Sequence, residues 1–276
     1  MNYLTCLDGI VDYTTTKAIL QKKNLIVKEF NNLFLVKYDK AQCDMTDSDI
    51  KKCRGLILEK NTNRLVCVPP LKSENIEQIS GYDLKDLIVE DYPDGTMINV
   101  FKYNDELLIS TRSTIGANCR YYSDKTFKLL FEESIDDETF AKLKGIDEGI
   151  SISFVLQHPE NIIVSKYNSP KLSLVHGCVV EDNTISFKTN EEIRDYLLGK
   201  NMDFEIPNRY SVNTFEDIYD LIEKMGQYQQ GLVIKYVCDS VYIRTKIRND
   251  YYNYVRDLKG NSNNKKYIYL ELRRYN

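Results

Sequence analysis

The stretch Asp94-Gly95-Thr96-Met97-Ile98-Asn99-Val100-Phe101-Lys102-Tyr103-Asn104-Asp105-Glu106-Leu107-Leu108-Ile109-Ser110-Thr111-Arg112-Ser113-Thr114-Ile115-Gly116 reads as an Asp-Gly pair, a strand, a tight turn and a second strand. Its apolar pattern predicts strands over Met97–Tyr103 and Leu107–Thr111. Asn104-Asp105 supplies the residue types that tolerate a reversal of two residues. The same reading applies to Val180-Glu181-Asp182-Asn183-Thr184-Ile185. Strands joined by so short a turn must pair antiparallel. The fold class is therefore α+β, with antiparallel sheets flanked by helices, because the regular β-α-β rhythm of a doubly wound sheet is missing.

Working outward, strands are expected at Leu33–Lys37, Gly55–Glu59, Leu65–Val68 and Leu87–Val89 before this hairpin. After it they are expected at Ile150–Leu156, Asn161–Ser165, Leu172–Val180, Thr184–Phe187, Leu232–Val237, Val241–Thr245 and Tyr267–Leu272. Helices are expected near Thr15–Lys22, Asp124–Glu133, Asp137–Leu143, Asn190–Leu198, Thr214–Met225 and Asp250–Leu258. The fifth has the clearest signal: Asn213 or Thr214 can cap it, and Phe215, Ile218, Leu221 and Ile222 form one apolar face at helical spacing. Gly260-Asn261-Ser262-Asn263-Asn264 reads as a short loop. The expected division is a domain over residues 1–258 and a short basic C-terminal extension over 259–276.

With 276 residues, 42% of them apolar and 28% charged, the chain has material for a substantial core. No run of about 18 apolar residues is present. The N-terminus has neither a basic flank nor an apolar signal core, so a soluble, cytoplasmic protein without membrane contact is expected. Seven scattered cysteines, no Cys-x-x-Cys pair and only two histidines support neither a disulfide framework nor a structural zinc site. His158, beside a proline turn, is expected at the surface. The net charge of −4 hides an asymmetry: from Val241 to Asn276 nine lysines and arginines stand against three acids. Contact with a polyanion is expected near that segment.

Five segments, taken in order, resemble the motif ladder of the covalent nucleotidyltransferases, and most of all RNA ligases of the bacteriophage type, over roughly residues 33–258. The resemblance implies a nucleotidyltransferase (ATP-grasp-like) domain of the kind found in RNA and DNA ligases. In Cys53-Arg54-Gly55-Leu56 and Pro70-Leu71-Lys72-Ser73, Arg54 and Lys72 match the arginine and lysine that in such ligases reach the triphosphate of ATP. Asp94-Gly95 and the hairpin ending in Ser110-Thr111-Arg112-Ser113-Thr114-Ile115-Gly116 correspond to the floor of the nucleotide pocket, with Arg112 near ribose or phosphate. Ser153-Phe154-Val155-Leu156-Gln157-His158-Pro159-Glu160-Asn161-Ile162-Ile163-Val164 is similar to the family's F-E-F-V-x-P-x-N-R-I-V, with Val155 in place of the glutamate and Ile162 in place of the arginine. Gln230-Gly231-Leu232-Val233-Ile234-Lys235 resembles E-G-x-V-x-K; Lys235 is kept, and Gln230 replaces the carboxylate that helps hold a divalent metal. Lys246 and Arg248 match the K-x-K pair that grips the α-phosphate.

The nucleophile position decides the expected chemistry. Where the family has Lys-x-Asp-Gly, this chain has Tyr92-Pro93-Asp94-Gly95. The resemblance implies ATP and Mg or Mn as cofactors, and a lysine that attacks the α-phosphate before adenylate passes to a 5′-phosphate end. Tyr92 offers a phenol, with an ordinary pKa of about 10 and no amine to form a phosphoramide. The expectation is a degenerate active site, impaired in self-adenylylation and retained to bind nucleotide or RNA ends through Arg54, Lys72, Arg112, Lys235, Lys246 and Arg248. One alternative is an active ATP-dependent RNA ligase with an unorthodox nucleophile: Tyr92 itself, Lys102, or Lys37 in Lys37-Tyr38-Asp39. Another is a non-catalytic interaction protein. Such ligases usually carry a helical module after the K-x-K motif that selects RNA, so the short remainder of this chain leaves substrate choice unread.

Overall fold

Leu33-Phe34-Leu35-Val36 contains no polar residue because both faces of the strand it forms are covered. In the computed structural model, which describes residues 3–260, 262 and 264–274, it lies in strand β2 (Leu33–Lys37) of an antiparallel sheet ordered β1 (Ile26–Phe30), β2, β3 (Arg54–Glu59), β4 (Leu65–Cys67). Phe34 and Val36 pack into a cluster that includes Leu20 of helix α1 (Tyr13–Lys22). Leu33 and Leu35 meet Phe101, Tyr103 and Leu108 of a second sheet. Between β2 and β3 the short helix α2 (Ser48–Lys52) is capped by the Asp47 carboxylate.

The chain then runs through β5 (Ile88–Asp91) into the hairpin read from sequence, β6 (Thr96–Tyr103) and β7 (Glu106–Thr111), and into the two-residue β8 (Thr114–Ile115). Asn104 and Asp105 have φ of 50° and 61°, and Tyr103 pairs with Glu106 across them. Helices α3 (Phe127–Glu132) and α4 (Asp137–Leu143) precede β9 (Ile150–Gln157), β10 (Lys171–Glu181) and β11 (Thr184–Lys188). The β10–β11 turn repeats the device, with φ of 48° at Asp182 and 63° at Asn183. These strands form a six-stranded sheet in the order β11-β10-β9-β6-β7-β8. Its apolar face packs on α3, α4 and the next helix, α5 (Asn190–Gly199).

After α5 come β12 (Arg209–Tyr210), α6 (Phe215–Glu223), β13 (Gly231–Cys238) and β14 (Val241–Arg248). Together with β5 they make a third sheet, ordered β12-β5-β13-β14. Ile218 of α6 packs on Val89, Leu232 and Ile234 of that sheet. Helices α7 (Asp250–Lys259) and α8 (Lys265–Arg274) follow. No helix among the described residues is long and apolar enough to cross a membrane.

Three expectations need correction. Asn161–Ser165 is not a strand, because the N–H groups of Val164 and Ser165 donate to Asp94 Oδ2 at 3.0 and 2.8 Å instead of to a ladder. Tyr267–Leu272 lies in helix α8, whose first turn is capped by Asn264 Oδ1 accepting from the N–H groups of Lys266 and Tyr267. His158 is not at the surface: it is 3% exposed, with Nε2 3.2 Å from Glu133 Oε2. Asn261 and Asn263 of the expected loop lie outside the described residues. Strands β1, β8 and β12 and helix α2 are additions that short, polar segments did not announce.

A buried ion pair inside the third sheet also reaches the second sheet through one backbone hydrogen bond. Lys235 on β13 contacts the Glu90 carboxylate on β5 and donates to Val175 O on β10 at 2.8 Å. Asn190 Nδ2 donates to the other Glu90 oxygen at 2.8 Å. Lys235→Met should cost about 3–5 kcal/mol in chemical denaturation, because it strands the Glu90 charge in the interior. Combining it with Glu90→Leu should recover most of that loss.

Candidate functional site

Strand period two puts alternate residues of β14 on one face. Arg244, Lys246 and Arg248 are spaced in that way, and all three line a cleft of about 790 Å³. The opposite wall carries Arg54, the first residue of β3, and Arg112, which follows β7. Gly55 is required there: it has φ +95°, and a Cβ would sit 3.0 Å from both Cα and O of Arg112. The Arg-Gly pair thus lets the two arginine-bearing segments approach. Lys72 joins them because its segment is tied to β14 by Glu74 N donating to Arg244 O at 2.8 Å and by Thr245 Oγ1 donating to Glu74 O at 2.9 Å.

Tyr92 and Asp94 lie in the linker between β5 and β6. The Tyr92 N–H donates to Gly231 O at 2.9 Å, and its ring stands 5.8 Å from Lys246 Nζ. Asp94 is buried and fully engaged: Oδ2 accepts from Val164 and Ser165, and Oδ1 accepts from Tyr252 OH at 2.7 Å. That carboxylate, expected in the catalytic set, acts here as a fastener of the cleft wall. Gly95 lets the linker pass the sheet edge, since a Cβ would lie 2.3 Å from Leu156 O and 2.7 Å from Val155 Cγ1. Gln230 and Val155 also line the cleft.

Of the expected site residues, Arg54, Lys72, Tyr92, Asp94, Gly95, Arg112, Gln230, Lys246 and Arg248 are brought together. Lys235 is not. It lies on the same face of the sheet as its ladder partner Arg244 but outside the cleft, buried against Glu90 and donating to Val175 O of the second sheet. Lys37 donates to Ser113 Oγ at 3.0 Å and Lys102 pairs with Asp105 at 3.4 Å, and neither lines the cleft. Sequence reasoning missed Lys40, Arg244 and Arg256 as cleft residues. The signal for Arg244 was present in the two-residue spacing to Lys246; Lys40 and Arg256 have no local signal.

Eight cationic side chains line the cleft against three carboxylates, Glu74, Glu77 and Asp94. Glu74 is taken by Lys51 at 3.0 Å and by Lys72 at 3.6 Å. Arg244, Lys246 and Arg248 form no salt bridge among the described residues, and the Nε atoms of Arg244 and Arg248 are buried without a hydrogen-bond partner. Crowding shows in the proton equilibria. Burial, then the neighbouring Arg248, Arg244 and Arg54, pull Lys246 down to about 8 against the phenol of Tyr92. At Tyr92 burial pushes the phenol up, but Lys246, Arg244, Arg248 and Arg54 outweigh it and bring it down to about 8. A site of this kind is suited to a chain of anionic oxygens.

A divalent metal fits poorly at the position where the resemblance implies one. Gln230 offers a neutral amide and Val155 an alkyl group, with eight cations around the cleft. The one group of three potential metal-ligating side chains among the described residues, Glu133, His158 and Glu160, lies outside the cleft, and Lys125 already bridges its two carboxylates.

No family model matches the chain. A protein of Autographa californica nuclear polyhedrosis virus named "Putative bifunctional polynucleotide kinase/RNA ligase" is 24% identical over 241 residues, which cover 79% of this chain and 33% of the viral protein. An archaeal ATP-dependent RNA ligase superposes with a TM-score of 0.59 at 13% identity, covering 89% of this chain and 64% of that one. A mutant Naegleria gruberi RNA ligase with ATP and Mn superposes with a TM-score of 0.50 at 11% identity, covering 69% of this chain and 58% of that one. The chain spans about a third of the viral protein and less than two thirds of the solved ligases. Its fold is that of the nucleotidyltransferase domains of ligases.

The two shifted groups give a pH signature. Both Tyr92 and Lys246 have folded pKa values near 8, below their ordinary 10.0 and 10.5. The folded chain therefore holds fewer protons than the unfolded chain from about pH 8 to 10, and their contribution to stability rises with pH across that window. Anion binding runs the other way, because Lys246 loses its positive charge and Tyr92 gains a negative one. Between pH 7 and 9 the affinity for a phosphate ligand should drop on the order of tenfold by calorimetry. Tyr92→Phe should flatten that dependence.

Proposed function

We propose that the chain is an RNA ligase-type nucleotidyltransferase domain that does not adenylylate itself at the motif position and serves to bind nucleotide or RNA ends. The observation that carries this reading is Tyr92 lining the cationic cleft where the resemblance calls for a lysine. Loss of that amine removes the phosphoramide step, and Val155 and Gln230 remove the carboxylates that would accompany it. The groups suited to phosphate remain: Arg54, Lys72, Arg112, Lys246 and Arg248 all border the cleft. ATP and RNA ends are the ligands proposed, with protein partners unassigned. Residues 1–258 are proposed to act as the domain, with 259–276 as a basic extension to it.

A second reading, an ATP-dependent RNA ligase with an unorthodox nucleophile, has one observation in its favour. The Lys246 amine stands beside Tyr92, and burial with neighbouring arginines favours its unprotonated form. One assay separates the two readings. The purified chain is incubated with α-labelled ATP and Mg or Mn, then run on a denaturing gel. The proposed reading expects no labelled band, and expects Tyr92→Lys alone to stay unlabelled because the carboxylates at 155 and 230 are still missing. A band mapping to Tyr92 or Lys246 establishes the second reading instead. ATP or a 5′-phosphorylated oligonucleotide at 100 times its dissociation constant should add about 2.7 kcal/mol of apparent stability. That corresponds to a rise in melting temperature of about 5–10 °C. Absence of any shift would point to an interaction protein that binds neither ligand.

A further inference from the structure

Within the proposed binding reading, we infer that the cleft takes a linear triphosphate without a divalent metal, its arginines neutralising the charge that a metal would otherwise carry. Glu74 is shared between Lys51 and Lys72, and Asp94 accepts from two backbone N–H groups and the Tyr252 hydroxyl. Glu77 is exposed, and Gln230 carries an amide. A metal arriving on a nucleotide would find one rim carboxylate and would be repelled by the surrounding cations.

Arg244 points the same way. It is 6% exposed, borders the cleft, and makes no side-chain hydrogen bond or salt bridge among the described residues. Glu90, whose field reaches it, is already engaged by Lys235 and Asn190. Arg248 on the same strand face also has a buried Nε without a partner. A buried guanidinium without an anion is costly to keep, and leaving its donors unmade adds to that cost. Both costs are removed by the same ligand, a group presenting several anionic oxygens to planar forks. Arg54 on the facing wall adds a third fork to the β14 pair. The shared chemistry is a run of linked phosphates, which a nucleoside triphosphate or a 5′-triphosphorylated RNA end can supply.

The test is calorimetric titration of the full chain with inorganic tripolyphosphate, ATP and a 5′-triphosphorylated oligonucleotide, each in EDTA and in excess Mg or Mn. Binding of tripolyphosphate in EDTA is expected, weaker for pyrophosphate and weaker again for orthophosphate, with excess Mg lowering affinity tenfold or more. Arg244→Gln and, separately, Arg248→Gln should each lower affinity at least tenfold. Without ligand the Arg244→Gln chain should melt no lower than the parent, because an unpaired buried charge has been removed. A preference for ATP or for the oligonucleotide over tripolyphosphate identifies the source of the triphosphate and supports the inference. Binding only in the presence of Mg or Mn overturns the metal-free inference and leaves the cleft as a nucleotide site. Failure of all three probes, with and without metal, overturns the inference together with the binding reading on which it rests.

Discussion

The Asp94 carboxylate is the point on which the geometry of the cleft depends. It sits in the four-residue passage between β5 of the third sheet and β6 of the second, and one side chain fixes that passage to two other parts of the molecule. Two backbone N–H groups anchor the segment after β9, and the Tyr252 hydroxyl anchors α7. The Asp94 carbonyl adds a hydrogen bond from Tyr167 OH at 2.7 Å. A buried carboxylate survives only when its lone pairs are used, and here three donors use them. The consequence for function is positional: Tyr92, two residues earlier, is held over the β14 cations. The Asp-Gly pair therefore has a structural task that is independent of covalent chemistry.

Electrostatics in the cleft oppose the fold that builds it. Arg54 is brought down to about 10, first by its burial and then by Arg244 and Arg112. Lys40 is lowered by burial and by Lys72, Arg112, Arg248 and Arg54. A surface of mutually repelling cations is stabilised from elsewhere, and three separate apolar clusters lie around the sheets that carry them. An anion in the cleft would relieve that repulsion. Local strain of this kind concentrates where ligands bind, because a bound ligand supplies the missing partner.

Legibility followed locality. Hairpin turns were readable because Asn104-Asp105 and Asp182-Asn183 state their φ preference within two residues. Strand β2 was readable to its ends because burial on both faces left a plain apolar run. Asn161–Ser165 misled because a β-like composition there serves a backbone that binds a side chain seventy residues earlier. Tyr267–Leu272 misled because its aromatic and apolar residues sit on a helix started by an asparagine cap. At the site, motif order located nine of the cleft residues, but Lys235 shows the limit of motif transfer. Lys235 shares a face with its ladder partner Arg244, yet its amine is taken by Glu90 and Val175 O and does not reach the cleft. Long-range convergence, as for Lys40 and Arg256, leaves no trace in the neighbouring residues.

The pattern of what is kept and what is lost follows the difference between binding a phosphate chain and transferring part of it. Binding needs positive charge and planar donors in the ground state, and Arg54, Arg112, Arg244 and Arg248 supply them without any change of protonation. Transfer needs more: a nucleophile that gives up a proton and groups that follow charge as it moves to the leaving phosphate. Those are the roles that the resemblance assigns to the lysine position and the two carboxylates, now Tyr92, Val155 and Gln230. All three side chains line the cleft. Extra guanidinium charge strengthens the hold on the ground state, and interactions of equal strength in ground and transition states give no acceleration. On the proposed reading, such a cleft would grip an intact triphosphate without the means of breaking one.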